Sequence, residues 1–387
     1  MEKINFTIAI PTFNSIESLK KNINSVLNQN ISSSINLTIA ISNIASNDST
    51  FEYLETLKKK ENFNIHNTRF DKTDSQSLNL YCLGNMIPNN SDWVWLVGDD
   101  DQLSNKNAIS NICDKINNNY DDDLKLVVAC NADRSKKTNK IFKDEIFQLC
   151  NKFGYHEMLG WMSSLIMRSD IMKKVLQDTY MYPEMYKITD NNVHVHEKYP
   201  YSAYPHSFAI LRNKKKKKGI FIDSPFVETQ NKKQTEKSIA QWAVDSVGQR
   251  YLFVADDLIR LLKYNIIEES SCSKVFFRYQ TVHLWDKWVL WMLNNLIIHS
   301  KNQNITESLI ISLQAWNNSN WKRISSLLSL LDSKNDRKVF STFIQIGINF
   351  SAIFLKSGLN EAIAEHYLKN FEQVVNLMNY NFEINDF

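Results

Sequence analysis

Asp92-Trp-Val-Trp-Leu-Val-Gly-Asp-Asp-Asp-Gln-Leu103 places three carboxylates, Asp99, Asp100 and Asp101, directly behind an apolar run. Adjacent carboxylates repel one another unless water or a cation relieves them. The stretch therefore reads either as a solvated turn or as the seat of a hard divalent ion, which prefers carboxylate oxygens. A second acidic run, Asp121–Asp123, follows the Asn-rich Asn117-Asn118-Asn119-Tyr120 and no apolar strand, so it reads as a solvated loop.

Working outward, the residues before Asp92 alternate between strand and helix signals. Phe6–Pro11 (FTIAIP) is a short β-branched run ended by Pro. Ile16, Leu19, Ile23, Val26 and Leu27 then recur at helical spacing. Ser15 can cap that helix, but Ser18 three residues on does not complete a capping box. INLTIAIS predicts a second strand, STFEYLETLKKK a second helix, FNIHNTRF a third strand, SQSLNLYCLGNMI a third helix and DWVWLVG a fourth strand. Apolar strands separated by helices imply a mostly parallel sheet covered on both faces. Ligands of such sheets bind beyond the carboxyl ends of the strands. Pro11-Thr12-Phe13-Asn14, Asn43 and the triple Asp all fall at that edge.

Farther along, LKLVVAC predicts another strand, and WMSSLIMRSDIMKKVL runs from strand into helix. Lys214–Lys218 lies between the apolar segments SFAILR and IFIDSPF. It reads as a solvated loop or as a contact for an anionic surface such as phospholipid. From about Lys232 onward the pattern becomes helical throughout, with no Pro from Val227 to the end. We expect an α/β domain over residues 1–235 and an all-helical domain over 236–387 serving assembly or acceptor and membrane association. Trp285, Trp288 and Trp291 lie near one face of a predicted helix and read as core or subunit interface, or as a membrane-interface or glycan-stacking face.

Composition narrows the function. The chain has 387 residues, a formal charge of +3, 43% hydrophobic residues and only 8 Gly and 6 Pro. That balance supports a sizeable core and gives no field that calls for nucleic acid. Five Cys without CxxC spacing suggest neither a zinc site nor a disulfide framework, which fits a reducing cytosol. No apolar stretch reaches the roughly 18 residues of a transmembrane helix, and the N-terminal residues lack a signal-peptide core.

The ordered set TIAIPTFN, AISNIASNDST, SLNLYCLGNM and WVWLVGDDDQL resembles the family 2 glycosyltransferases of the GT-A fold, closely over Asn5–Gln102 and loosely to about Leu211. The resemblance implies a Rossmann-like domain that takes a nucleotide-diphosphate sugar and passes the sugar, with inversion, to a bacterial surface-glycan acceptor. Pro11, Thr12, Phe13 and Asn14 would line the nucleotide pocket. Asn43 stands where the family usually has a base-binding Asp, and Ala45 where it has Gly, while Ser46 and Asp48 keep the Ser-x-Asp pattern. Asp48 also suits a helix cap near Ser49. Asn79 would touch the donor. Asp99 and Asp101 would hold ribose and a Mn²⁺ or Mg²⁺ ion, with Asp101 the first choice for the metal and Asp100 assisting.

Inversion needs a base facing the acceptor hydroxyl. The matching window, Tyr182–Leu211, holds Asp190 and Glu197, with Glu184 third. His194 and His196 can chelate a metal or bind acceptor. His206, Trp161, Met162 and Ser163 fall on segments that resemble the acceptor side of O-antigen-type sugar transferases. The implied partners are the donor, a glycan or lipid-linked glycan, a peripheral membrane contact and a second copy through the helical domain; the implied location is the cytoplasm, at the inner face of the membrane. A nucleotidyltransferase is the rival enzyme, but PTFNSIESLKKN carries none of the Gly such a signature requires. A non-catalytic assembly protein is the other rival, disfavoured by the triple Asp.

Overall fold

The computed structural model describes residues 3–69, 76–131, 138–185, 205–214, 216–230 and 302. Tertiary contacts divide the chain into two units: Met1–Ile188 with Pro205–Lys232, and Thr189–Tyr204 with Lys233–Phe387. The described residues, Asn302 aside, belong to the first. The expected C-terminal helices and the Trp285, Trp288 and Trp291 face lie outside the described residues.

The first unit is a mixed α/β fold. Its elements are β1 (Ile4–Thr12), α1 (Ile16–Leu27), β2 (Ile35–Ile44), α2 (Thr50–Leu57), β3 (Phe63–Thr68), α3 (Gln76–Met86), β4 (Trp93–Leu96), β5 (Asp101–Leu103), α4 (Ala108–Asn118), β6 (Leu124–Asn131), β7 (Ile141–Glu145), α5 (Ile146–Phe153), β8 (Leu165–Arg168), α6 (Ser169–Met185), α7 (Pro205–Lys214) and β9 (Lys218–Thr229). A short π-helical turn at His156–Gly160 and a 3₁₀ turn at Met162–Ser164 lead into β8.

The strands form one sheet in the order β3-β2-β1-β4-β8-β6-β9-β5, with β7 also on β9. From β3 to β4 all pairings are parallel, as the alternating strand and helix signals require. Beyond β4 the sheet departs from the expected pattern. β8 runs antiparallel to both β4 and β6, and β5 and β7 run antiparallel to β9. Between them, β6 and β9 pair in parallel, so this half of the sheet is mixed.

The apolar runs become the core because both faces of these strands are covered. Phe6, Ile8, Ile10, Trp95 and Val97 are fully buried, and α1 packs Leu19, Ile23 and Val26 against them. Each such side chain contributes roughly 1.5–3 kcal/mol on burial. The register sets the functional edge. Thr12 pairs with Asn43, and Asn43 with Asn67, so the last residues of three strands lie side by side.

The second acidic run is a surface loop held by ion pairs. Lys217 meets Asp123 at 2.7 Å, and Lys218 meets Asp121 at 2.8 Å. Two lysines of the basic run are thus engaged within the fold. Exposed pairs of this kind contribute little stability.

Candidate functional site

Three loops meet at the carboxyl ends of β1, β2 and β4. The first, Phe13–Ser15, leaves β1 through Asn14, whose φ of 49° is left-handed. Asn tolerates that region better than most residues. The second leaves β2 through Ala45, with φ 57°. The two loops are bound together: Asn14 N–H donates to Ser46 Oγ at 2.9 Å, and Asn47 N–H donates to Asn14 Oδ1 at 2.8 Å. Asp48 caps two helices at once, accepting from Ile16 N–H at 3.1 Å and from Thr50 N–H at 3.0 Å. Its carboxylate sits where the positive ends of α1 and α2 favour it. Ser15, the expected cap of α1, instead donates to Phe13 O.

The third loop is the acidic stretch. Asp101 N–H donates to Gly98 O at 3.1 Å, closing a four-residue turn with Asp99 and Asp100 at its corners. Asp101 then opens β5, opposite Thr229 of β9. The triple Asp is therefore both a turn and the start of a strand, rather than a strand end alone. Thr12 Oγ1 donates to Asp99 Oδ2 at 2.8 Å, and Phe13 N–H reaches the same oxygen at 3.4 Å.

Asp101 is 4% exposed. Burial pushes its carboxyl up to about 7; the Ser163 and Thr229 hydroxyls pull it back, and the charges of Asp100 and Asp99 add to the rise. Ser163 links two parts of the turn, accepting from Gly98 N–H at 2.8 Å and donating to Asp101 Oδ2. Trp95 Nε1–H in turn holds Ser163 O at 2.9 Å. A Cβ on Gly98 would lie 3.2 Å from Asp100 Oδ1, 3.3 Å from Ser163 Oγ and 3.4 Å from Asp101 Oδ2. Three oxygens thus crowd over one Cα, and a methyl there would press them back by a few tenths of an ångström.

These oxygens suit a hard cation in kind. Among the described residues, no three His, Cys, Asp or Glu side chains converge as a ready-made metal cage. A Mg²⁺-type ion shared with phosphates uses only one or two carboxylates, so the two observations are compatible.

The other expected residues divide by burial. Phe13 is 36% exposed at the rim. Pro11 and Thr12 are buried at the end of β1, and Asn79 of α3 donates to Thr12 O at 2.9 Å. Asn79 Oδ1 is buried with no hydrogen-bond partner among the described residues. Asn43 is fully buried: its Nδ2 donates to Asn67 Oδ1 at 2.7 Å, and its Oδ1 accepts from Ser46 Oγ at 2.5 Å. Both halves of its amide are spent on the framework.

On the far side, Trp161 and Met162 are half-buried. His206 is 4% exposed on α7, with Nε2 3.1 Å from Leu159 O. Burial lowers its pKa to about 4, so it is a neutral ring packed against the π-helical turn. Glu184 lies in the last turn of α6. Asp190, His194, His196 and Glu197 lie outside the described residues.

Two residues that the motifs did not mark also touch the turn. Asn22 of α1 donates from Nδ2 to Gly98 O at 2.7 Å and to Asp101 O at 2.8 Å. Gln230, just past β9, donates its N–H to Asp100 O at 3.0 Å and its Nε2 to Ser18 O at 3.0 Å and Asp101 O at 3.3 Å. The only signal for Asn22 was a polar residue inside the apolar stripe Leu19–Ile23–Val26; Gln230 had none.

The family described as Glycosyl transferase family 2 matches residues 7–181. No curated protein matches the chain at a significant level. Among solved structures, the chain is similar to S. aureus TarS at 12% identity and TM-score 0.44, covering 90% of this chain and 54% of that one. The chain thus spans about half the length of that relative. TarS 1–349 in complex with UDP is similar at 12% identity and TM-score 0.41, over 82% of this chain and 93% of that one. The mannosyltransferase PcManGT from Pyrobaculum calidifontis, in complex with GDP-Man and Mn²⁺, is similar at 10% identity and TM-score 0.45, over 93% and 89%. The match runs from β1 into α6 and takes in the Thr12–Asp99 edge and the whole Gly98–Asp101 turn; over residues 7–181 the chain is similar to the Glycosyl transferase family 2.

Proposed function

We propose that this chain transfers a sugar, with inversion, from a nucleoside-diphosphate donor to a hydroxyl of a bacterial surface-glycan acceptor such as lipopolysaccharide or capsule. The observation that carries this reading is the bond from Thr12 to Asp99, which ties the end of β1 to the acidic turn at the ligand-binding edge. Phe13 and Asn14 border the base and ribose. Asn43, whose amide is committed to Asn67 and Ser46, shapes that pocket by holding the β2 loop against Asn14. Asn79, which holds Thr12 O through its Nδ2, is assigned the polar contact to the donor.

Asp101 and Asp99 would hold a Mn²⁺ or Mg²⁺ ion, with Asp100 assisting; when bound, the ion neutralises the diphosphate as it leaves. The sugar moves in a single displacement, so no protein nucleophile is required. A carboxylate opposite the diphosphate takes the acceptor proton; we assign this to Asp190 or Glu197, with Glu184 third. On the acceptor side, Ser163 is engaged by the turn and His206 by Leu159. Trp161, half-buried, is the residue we assign to border the sugar. The same reading places residues 236–387 in assembly or in acceptor and membrane association, at the cytoplasmic face of a membrane.

The test is thermal melting of the full chain with UDP, GDP or CDP, each with and without Mn²⁺, followed by hydrolysis of the matching sugar nucleotides. One nucleotide should stabilise the protein only with metal, and its sugar conjugate should be hydrolysed. Equal stabilisation in EDTA would remove the metal. No stabilisation and no hydrolysis by any of the three would overturn the reading.

A further inference from the structure

We propose that Asn22, assisted by Gln230, is the positioning residue of the acidic turn, and that its side-chain amide sets the affinity of the site for a metal–nucleotide. This rests on the reading that the turn holds the donor.

Asn22 bridges the two ends of the turn. Its Nδ2 carries two hydrogens, and both are used: one on Gly98 O at 2.7 Å, one on Asp101 O at 2.8 Å. Both neighbours are carbonyl oxygens, so the nitrogen and not the oxygen of the amide must face them. The other half of the amide tells why the residue is there. Asn22 is 0% exposed, on the face of α1 that carries Leu19, Ile23 and Val26 into the core. Its Oδ1 has no hydrogen-bond partner among the described residues. A buried acceptor left unpaired is costly, and an apolar side chain would suit the helix face. A residue that breaks the local pattern without a gain in packing marks a functional constraint.

The chemistry of the clamp also fits. A turn carrying three carboxylates needs an external hold, because its charges push it open. Lys or Arg could supply that hold, but would neutralise the carboxylates that a cation must meet. Amides aimed at main-chain carbonyls fix the backbone and leave the carboxylate charge unchanged. Gln230 repeats the device from the other side. Its N–H binds Asp100 O, and its Nε2 reaches Asp101 O and Ser18 O, tying β9 and α1 to the same turn.

The experiment uses the full chain and whichever of UDP, GDP and CDP binds the wild type with Mn²⁺, titrated calorimetrically beside a melting curve. Asn22→Leu keeps the size and removes the donors. We expect affinity for the Mn²⁺–nucleotide to fall at least tenfold. Thr7→Val is the structural control, since Thr7 Oγ1 shares a buried 2.8 Å hydrogen bond with Ser91 Oγ near the start of β1. It should lower the melting temperature comparably and leave affinity unchanged. Wild-type affinity in Asn22→Leu overturns the inference. If that variant does not fold, Gln230→Leu takes its place, with a loss of several-fold expected and wild-type affinity overturning the clamp. Asp99→Asn tests the underlying reading. If it too binds like wild type, or if none of the three nucleotides binds the wild type, the turn is not the donor site and both readings fall. If Asp99→Asn weakens binding and Asn22→Leu does not, only the clamp is wrong.

Discussion

Thr12 Oγ1 lies 2.8 Å from Asp99 Oδ2, a hydrogen bond between residues 87 positions apart. It fixes one corner of the acidic turn to the last residue of the central strand. Thr12→Val keeps the shape and the β-branching but removes the donor. Hydrogen bonds to charged groups contribute about 1.5–3 kcal/mol, and loss of a partner behind a metal or anion ligand weakens binding roughly tenfold to hundredfold. Titration with Mn²⁺ and nucleotide should show that loss, and the melting temperature should fall by a few degrees as the bond's own contribution to stability goes. Unchanged affinity would mean that Asp99 does not face the donor.

Asp101 gives a pH signature. Its folded pKa, about 7, is raised above the ordinary value of 3.8 by burial first and by neighbouring carboxylates after it. Between those values the folded protein binds the proton more tightly than the unfolded chain. The contribution of this group is therefore fully present below about pH 4 and is lost as pH rises through about 7. Asp101→Asn should melt higher than wild type at pH 7.5 without metal, and the gap should narrow toward pH 5. The same variant should lose transfer at every pH. A gap that stays constant with pH would show that Asp101 ionises as freely in the folded protein as in the unfolded chain, and one that widens on acidification that its pKa is lowered.

Gly98→Ala tests the crowding above the turn. Asp100 can swing away, but Ser163 and Asp101 are buried and held. The added methyl should cost roughly 1–3 kcal/mol as overpacking. It should lower transfer more than tenfold by displacing the carboxylates. A fully active variant would show that the three oxygens need not sit as close as they do.

Ala45 offers a stabilising change. Its φ of 57° is left-handed, which costs an L-residue about 1–2 kcal/mol. Ala45→Gly removes that cost, offset by roughly 0.5–1 kcal/mol of added chain entropy. Denaturant melts should show a gain of up to about 1 kcal/mol, with transfer unchanged if the β2 loop keeps its bond to Asn14. A loss of stability would mean that Ala45 packs where glycine cannot.

Much of this protein was legible in its residues, because a strand or a helix advertises itself by local periodicity. FTIAIP, INLTIAIS and DWVWLVG have their apolar residues where β1, β2 and β4 bury them. The Ile16–Leu27 spacing sets α1 where it stands. The acidic run announced a turn at the ligand edge, and the helix-capping character of Asp48 could be read from its place before α2. What escaped was the part that depends on partners distant in the chain. Nothing near Leu165–Arg168 says that β8 runs antiparallel between β4 and β6, since hydrophobicity is blind to strand direction. Asn43 reads as a base contact until Asn67 and Ser46 take up its amide. His206 reads as a ligand until α7 turns it against Leu159 and burial makes it neutral. Asn22 reads as a flaw in an apolar stripe until α1 crosses the turn and brings its amide to Gly98 and Asp101, because a side chain's chemistry is set by what the fold brings within about 3 Å of it.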